Sequence, residues 1–297
     1  MKKTFLTLSM GIALAAGMTL TSCGGEKKQS AEQKEANNTE KAEAAAPKKA
    51  EKPADLHVYK SGDLLAGMAN EFKNVGFDGS VVSTLDNLLE GNANVEALYF
   101  DHKMNMIGTA SFKNCANLKA IYADDVIEVV GDEAFSGCKS LKEVAVTTST
   151  YGIDAFKGSG IELAKMDDHG WKIREGALAN CTNLKTVIIP MTIDAIEDGA
   201  FTGSNAIENI AIPYNFKDRM YTFIEGAKNV KSIYVLTPAY YSFPTTKAAK
   251  AFNKSQCTAY VPDAQIEDFK KDPNWAAFAA IKPLSESGYY NADCTIK

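Results

Sequence analysis

The stretch Ile173-Arg-Glu-Gly-Ala-Leu178-Ala-Asn-Cys181-Thr-Asn-Leu184-Lys-Thr-Val187-Ile-Ile189-Pro190 decides the fold, because it recurs. Its ending has the spacing L-x-x-L-x-L and occurs seven times, at steps of 23 residues except for one step of 20. The seven endings are Val95-Leu98-Phe100, Leu118-Ile121-Ala123, Leu141-Val144-Val146, Ile161-Ala164-Met166, Leu184-Val187-Ile189, Ile207-Ile210-Ile212 and Val230-Ile233-Val235. Six residues before the first member stands an apolar anchor, namely Leu89, Phe112, Phe135, Leu178, Phe201 or Ile224. In the copy that ends at Ile161 the anchor Phe156 is only five residues back, because Lys157-Gly158-Ser159-Gly160 is one residue short. A period this regular means one supersecondary unit stacked on copies of itself. It argues for a scaffold with a surface rather than an enzyme with a pocket.

Within a unit, the inward positions of L-x-x-L-x-L suit a short strand. Five residues before the anchor comes another apolar residue: Ile107, Val130, Tyr151, Ile173 or Ile196. The intervening residues are polar and turn-prone, as in Gly-Thr-Ala-Ser and Glu-Asp-Gly-Ala. They predict a tight helical turn laid against the stack rather than a second long strand.

The pattern resembles the leucine-rich repeats of the BspA-like bacterial surface proteins, in which I-x-x-x-A-F-x-x-C-x-x-L-x-x-I-x-[VI]-P recurs. Ile173 to Pro190 matches it nearly throughout, and Ile196 to Pro213 and Val130 to Val146 almost as well. The resemblance implies an α/β repeat solenoid of the BspA type, with about seven 21–23-residue repeats over residues 81–238 and a cap at each end. It also implies a role in adhesion to host matrix proteins, host cells or other bacteria. The repeat fixes the core and not the surface, so it speaks to fold more strongly than to activity.

Outside the repeats, Met1-Lys2-Lys3 and the apolar run Phe5 to Leu20 have the form of an export signal, residues 1–22. Leu20-Thr21-Ser22-Cys23 resembles a bacterial lipobox, which predicts lipid on Cys23 and an outer-membrane lipoprotein at the cell surface, with a periplasm-facing placement left open. Residues 23–54 are almost all Glu, Lys, Ala, Gln, Asn and Pro. Such a stretch cannot bury enough apolar area to offset its ordering entropy and reads as a tether. Attachment to the membrane is expected through the lipid alone, since no second run approaches the ~20 apolar residues of a span. Residues 55–80 read as an N-terminal cap, with a strand at His57-Val58-Tyr59, Asp63 as a helix cap and a helix from Leu64 to Phe72. Residues 239–297 read as a C-terminal cap, its Phe269, Trp275 and Phe278 serving packing.

Chemistry-bearing residues are sparse. There are only His57, His102 and His169, with no H-E-x-x-H, no G-x-S-x-G and no phosphate-binding Gly loop, which argues against an enzyme. A net charge of −5 with interleaved signs argues against nucleic acid. Cys115, Cys138 and Cys181 share one repeat position with Asn92, Ser159 and Ser204, so they read as small buried side chains rather than as metal ligands. Cys257 and Cys294 are candidates for a disulfide in an oxidising compartment.

Stacking turns repeat positions into columns. The column Glu96, Lys119, Lys142, Glu162, Lys185, Glu208, Lys231 suggests neighbouring charge pairs on a solvated face. The column Tyr99, Tyr122, Ala145, Lys165, Ile188, Ala211, Tyr234 is expected to point outward. Its Tyr99, Tyr122, Ile188 and Tyr234 are the candidate contacts for a protein or glycan partner, against the alternative of side chains that merely cover the sheet. Asp101, Asp124, Asp125, Asp167 and Asp168 form an acidic edge beyond the strands. Solvated turn residues explain that edge most simply, and calcium is the cofactor its carboxylates would suit. No other cofactor is expected.

Overall fold

The computed structural model describes residues 51–66, 71–144, 146–166, 172–217, 228–244 and 253–297. The signal segment, Cys23, most of the tether, Ile224, Asp167, Asp168 and His169 lie outside the described residues. The described strands are short and alternate between two positions in each unit. They begin with β1 (His57–Tyr59), β2 (Asn74–Phe77), β3 (Ala97–Phe100), β4 (Met104–Ile107), β5 (Ala120–Ala123) and β6 (Ile127–Val130). There follow β7 (Glu143–Val144), β8 (Thr148–Tyr151), β9 (Leu163–Lys165), β10 (Lys172–Ile173), β11 (Thr186–Ile188) and β12 (Ala195–Ile196). The last are β13 (Asn209–Pro213), β14 (Ser232–Leu236), β15 (Thr258–Val261) and β16 (Ala280–Pro283).

Every pairing between these strands is parallel and joins equivalent positions of neighbouring units. The L-x-x-L-x-L strands and the cap strands make a main sheet in two separately hydrogen-bonded pieces, β1-β2-β3-β5 and β7-β9-β11-β13-β14-β15-β16. The other strands form a second sheet in the order β4-β6-β8-β10-β12. The molecule is therefore a parallel β-solenoid of leucine-rich repeats. The return expected to be a turn alone contains a strand of two to four residues before it turns. Met104-Asn105-Met106-Ile107 and its equivalents are half-apolar and short, which hides them from a search for long alternating strands.

Around the anchor the backbone makes successive tight turns, with Ser111, Lys113 and Cys115 each donating to the carbonyl three residues back. These turns also stack. The N–H groups of Leu89, Phe112, Phe135, Phe156 and Leu178 donate to Ser111, Ala134, Ala155, Ala177 and Ala200 of the next unit, at 2.7 to 2.9 Å. The turns thus form a third hydrogen-bonded side of the solenoid, and the backbone groups that a turn would otherwise leave buried are paired. Inside, Phe112, Phe135 and Phe156 stack at 5.4 and 5.3 Å between centroids, all of them buried. The copy from Leu141 to Ile161 is 20 residues long, against 23 for its neighbours. It is short both in the turn and in the link from β7 to β8, yet β8 keeps register with β6 and β10 and β7 keeps register with β9.

The turn needs left-handed backbone at two places, two residues before and two after the anchor. The first is held by Asn87, Ala110, Glu133, Asp154, Gly176 and Gly199, and the second by Gly91, Asn114, Gly137, Gly158, Asn180 and Gly203. Gly, Asn and Asp dominate because they tolerate positive φ, and where Gly203 follows Asn180 a Cβ would collide with the Asn180 side chain.

The ends are closed by variants of the same unit. β1 and β2 extend the main sheet at one end, and β15 and β16 at the other. Helix α1 spans Ser61–Ala66 and so starts earlier than expected, and Asp63 accepts a hydrogen bond from Lys60 N–H at 2.8 Å. Helix α2 spans Ile266–Lys271, and Phe269 and Trp275 are buried within the C-terminal cap.

Replacing Gly203 with Ala should lower the unfolding free energy by about 2 kcal/mol, since the backbone conformation and the Asn180 contact both oppose it. Glu133→Gly should raise it by about 0.5 to 1 kcal/mol by relieving positive φ. Urea unfolding followed by circular dichroism checks both; the opposite order would mean that the turn does not adopt this backbone.

Candidate functional site

The side chains that point away from the core on the main sheet form the surface on which function was expected. The alternating charged column behaves as an internal lattice. Glu96 lies 3.1 Å from Lys73 and also pairs with Lys119, Lys142 pairs with Glu162 at 2.8 Å, and Lys231 with Glu208 at 2.9 Å. Lys119 and Lys73 hold the Glu96 carboxyl below its ordinary range. All these groups are substantially exposed, so they set register and solubility more than stability.

The neighbouring column divides into two unlike halves. Register aligns Val58, Gly76, Tyr99 and Tyr122 across β1, β2, β3 and β5. Tyr99 and Tyr122 stack at 4.9 Å with 27° between planes. Tyr122 is 39% exposed and Val58 45%, whereas Tyr99 is half-buried and its phenol is pushed up by burial, with Tyr122 and Asp55 adding to the effect. In the other half, Ile188 and Ala211 are fully buried and Tyr234 is only 2% exposed. The expectation that Ile188 and Tyr234 present a contact surface is therefore corrected.

The cause is the C-terminal segment. After a 3-10 turn at Leu284–Ser287 the chain makes a small hairpin, closed by Asn291 N–H to Thr295 O and by Lys297 N–H to Tyr289 O. This hairpin lies on the outer face of the main sheet. Tyr289 and Tyr290 pack on Tyr234 at 5.6 and 5.5 Å, and Tyr260, next in register, lies at 5.5 Å. The Tyr290 hydroxyl accepts from Ile189 N–H at 3.1 Å and donates to Ile189 O at 2.9 Å. Ile189 lies just past the point where β11 stops pairing with β13, so the phenol completes a backbone that the ladder leaves open. Lys165 donates to the Lys297 carbonyl at 3.1 Å, and Ser285 donates to both oxygens of Asp263.

The acidic edge is engaged in local structure. Asp101 accepts from Lys52 and lies 3.1 Å from His102 Nδ1, and these contacts hold its carboxyl below the usual range despite partial burial. His102 also reaches the Val81 carbonyl at 2.8 Å. Asp125 caps its neighbour Val126 N–H at 2.7 Å, and Asp124 lies exposed at the end of β5. Among the described residues, no three His, Cys, Asp or Glu side chains converge as a metal site would require.

The cysteines behave as buried hydrogen-bond donors. Cys115, Cys138 and Cys181 donate at 3.1 Å to the carbonyls of Leu89, Phe112 and Phe156 in the preceding unit, and Ser204 donates to Leu178 at 2.7 Å. The position therefore wants a small donor as well as a small volume. Burial raises the thiols, Cys115 and Cys257 both to about 12. Cys257 and Cys294 are separate free thiols, so the candidate bridge between them is not formed. Cys294 turns toward Thr237 O at 3.8 Å, while Cys257 lies at 3.7 Å from Thr258 O.

The BspA-type leucine-rich-repeat region model matches six copies over residues 67–162 and 149–258, and this chain belongs to that family. Solved structures with similar repeats include a leucine-rich repeat protein from Bacteroides ovatus, 25% identical over 52% of this chain and 37% of that one, with a TM-score of 0.41. A Treponema pallidum leucine-rich repeat protein is 18% identical over 56% of this chain and 70% of its own, with a TM-score of 0.38. A leucine-rich cell surface protein from Faecalibacterium prausnitzii is 19% identical over 61% and 56%, with a TM-score of 0.36. The matched part thus spans little more than a third of the B. ovatus protein. Among curated proteins none matches this chain.

The raised thiols make stability depend on alkali. The native chain keeps protons on Cys115 and Cys257 up to about pH 12, whereas an unfolded thiol loses its proton near its ordinary value of 9.0. Between these limits the unfolded state binds fewer protons, so stability falls as pH rises. Cys115→Ser, which imitates Ser204, should stay within about 1 kcal/mol of the parent at pH 7 and reduce that alkaline loss. Urea titrations at neutral and alkaline pH check this. Tyr290→Phe should cost about 1 to 3 kcal/mol by leaving Ile189 N–H buried without a partner, read in the same assay.

Proposed function

We propose that this protein is a non-enzymatic binding scaffold of the bacterial envelope. Lipid on Cys23 anchors it to the outer membrane, the tether spaces it, and the folded domain faces outward to hold a partner protein or glycan at the cell surface. Adhesion to host matrix, host cells or other bacteria is the specific form of this role.

The observation that carries the reading is the asymmetry of the outer face. The Tyr234 half is covered by the chain's own C-terminal hairpin, whereas Tyr122 and Val58 stay exposed in the same column. Aromatic side chains of that kind, rimmed by polar groups, have the composition of a contact surface. The lipobox-like Leu20-Thr21-Ser22-Cys23 and the Lys- and Glu-rich tether support the anchoring.

Tyr99→Ser combined with Tyr122→Ser should abolish binding to a verified partner, reducing affinity at least about 100-fold, with the fold retained by circular dichroism. Tyr234→Ser should instead destabilise the protein by about 3 kcal/mol, because the ring is buried. Unchanged partner binding by the double variant would refute the site. Protease added to intact cells should release the domain by cleavage in the Lys-rich tether; protection until the outer membrane is opened would favour a periplasm-facing scaffold.

A further inference from the structure

We propose that the Val58–Tyr99–Tyr122 surface receives a polypeptide segment of a partner that carries adjacent aromatic side chains, in the way this chain's own hairpin covers Tyr234. The inference rests on the reading of that surface as a contact site and specifies what fits it.

Three observations support it. First, the two halves offer like chemistry at one repeat position: Tyr99 stacks on Tyr122 across β3 and β5, as Tyr234 packs against Tyr260 across β14 and β15. Second, the covered half shows what such a pair accepts. Two consecutive tyrosines, Tyr289 and Tyr290, arrive from a hairpin, and their rings reduce Tyr234 to 2% exposure. Third, three of the carboxylates flanking the open half are already engaged. Glu96 is taken by Lys73 and Lys119, Asp101 by Lys52 and His102, and Asp55 accepts from Asn74 at 2.8 Å. Ring contacts, rather than ionic steering, are what remains for a partner. From Val58 to Tyr122 the stripe covers three strand spacings, roughly 14 Å, enough for two adjacent aromatic side chains.

The chain supplies its own probe, a synthetic peptide with the sequence of Leu284 to Lys297 carrying Cys294→Ser to prevent oxidation. It is titrated into the intact folded protein labelled with nitrogen-15. The expected result is saturable shifts at the Tyr99 and Tyr122 amides. Affinity should fall at least about tenfold when the peptide carries Tyr289→Ser and Tyr290→Ser, or when the protein carries Tyr99→Ser and Tyr122→Ser. It should change little as salt rises from about 0.05 to about 0.5 M.

Lack of saturable binding up to about 1 mM peptide would overturn the proposal. So would equal binding of the serine peptide, or shifts confined to Ile189 and Tyr234, which would mean exchange with the resident hairpin. A β-glucan hexasaccharide that binds with the same dependence on Tyr122, where the peptide does not, would assign the surface to glycan instead. The two readings fail separately. If a verified partner is lost in the Tyr99→Ser, Tyr122→Ser protein but the peptide never binds, only the aromatic-segment inference falls.

Discussion

The rest of the structure depends on the stacking of the anchor turns through their own backbones. A parallel sheet needs a crossover for each strand, and here the crossover is too short for a helix. The turn must reverse within a few residues while leaving no peptide group unpaired in the interior. Donation from Phe112 to Ala134 and from Phe135 to Ala155 solves this by making each turn the hydrogen-bond partner of the next. Two left-handed residues per turn are the cost of the geometry, and Gly, Asn and Asp are placed where they meet it.

Once the turns stack, equivalent residues fall into columns, and each inward column keeps one chemistry. Phenylalanine anchors pack on phenylalanine anchors, and a thiol or hydroxyl reaches back to the carbonyl of the preceding unit. On the solvent side, lysine and glutamate alternate and pair along the sheet. Columns also make the surface quasi-one-dimensional, so covering one end of a column leaves the other end open. The C-terminal hairpin does this to the tyrosine column, burying Tyr234 and leaving Tyr122 exposed.

Most of the fold could be read in the sequence because each inward position repeats its chemistry with a fixed period. The small donor position was visible as Cys, Ser and Asn, although its carbonyl partner was not, since that partner is a backbone atom one unit away. The second sheet leaves no signal in the sequence, because Lys172-Ile173 and Ala195-Ile196 are too short to alternate. The left-handed turn positions are legible through Gly199, Gly203 and Asn180, residue types that tolerate positive φ. The candidate site was half legible. Tyr99 and Tyr122 point outward as the alternation requires, but the burial of Ile188 and Tyr234 depends on Tyr290, 101 residues from its contact at Ile189. No local pattern encodes a contact made across that separation.

The central claim is that one column of the main sheet is open at Tyr122 and closed at Tyr234. Hydroxyl-radical footprinting of the native protein, read tyrosine by tyrosine by mass spectrometry, tests it most directly. Tyr122 should be oxidised fastest of the column and Tyr99 more slowly, with Tyr234 and Tyr290 protected until denaturant unfolds the chain. Oxidation of Tyr234 at the rate of Tyr122 in the native state would contradict the account, since it would mean that the hairpin does not cover that half of the face.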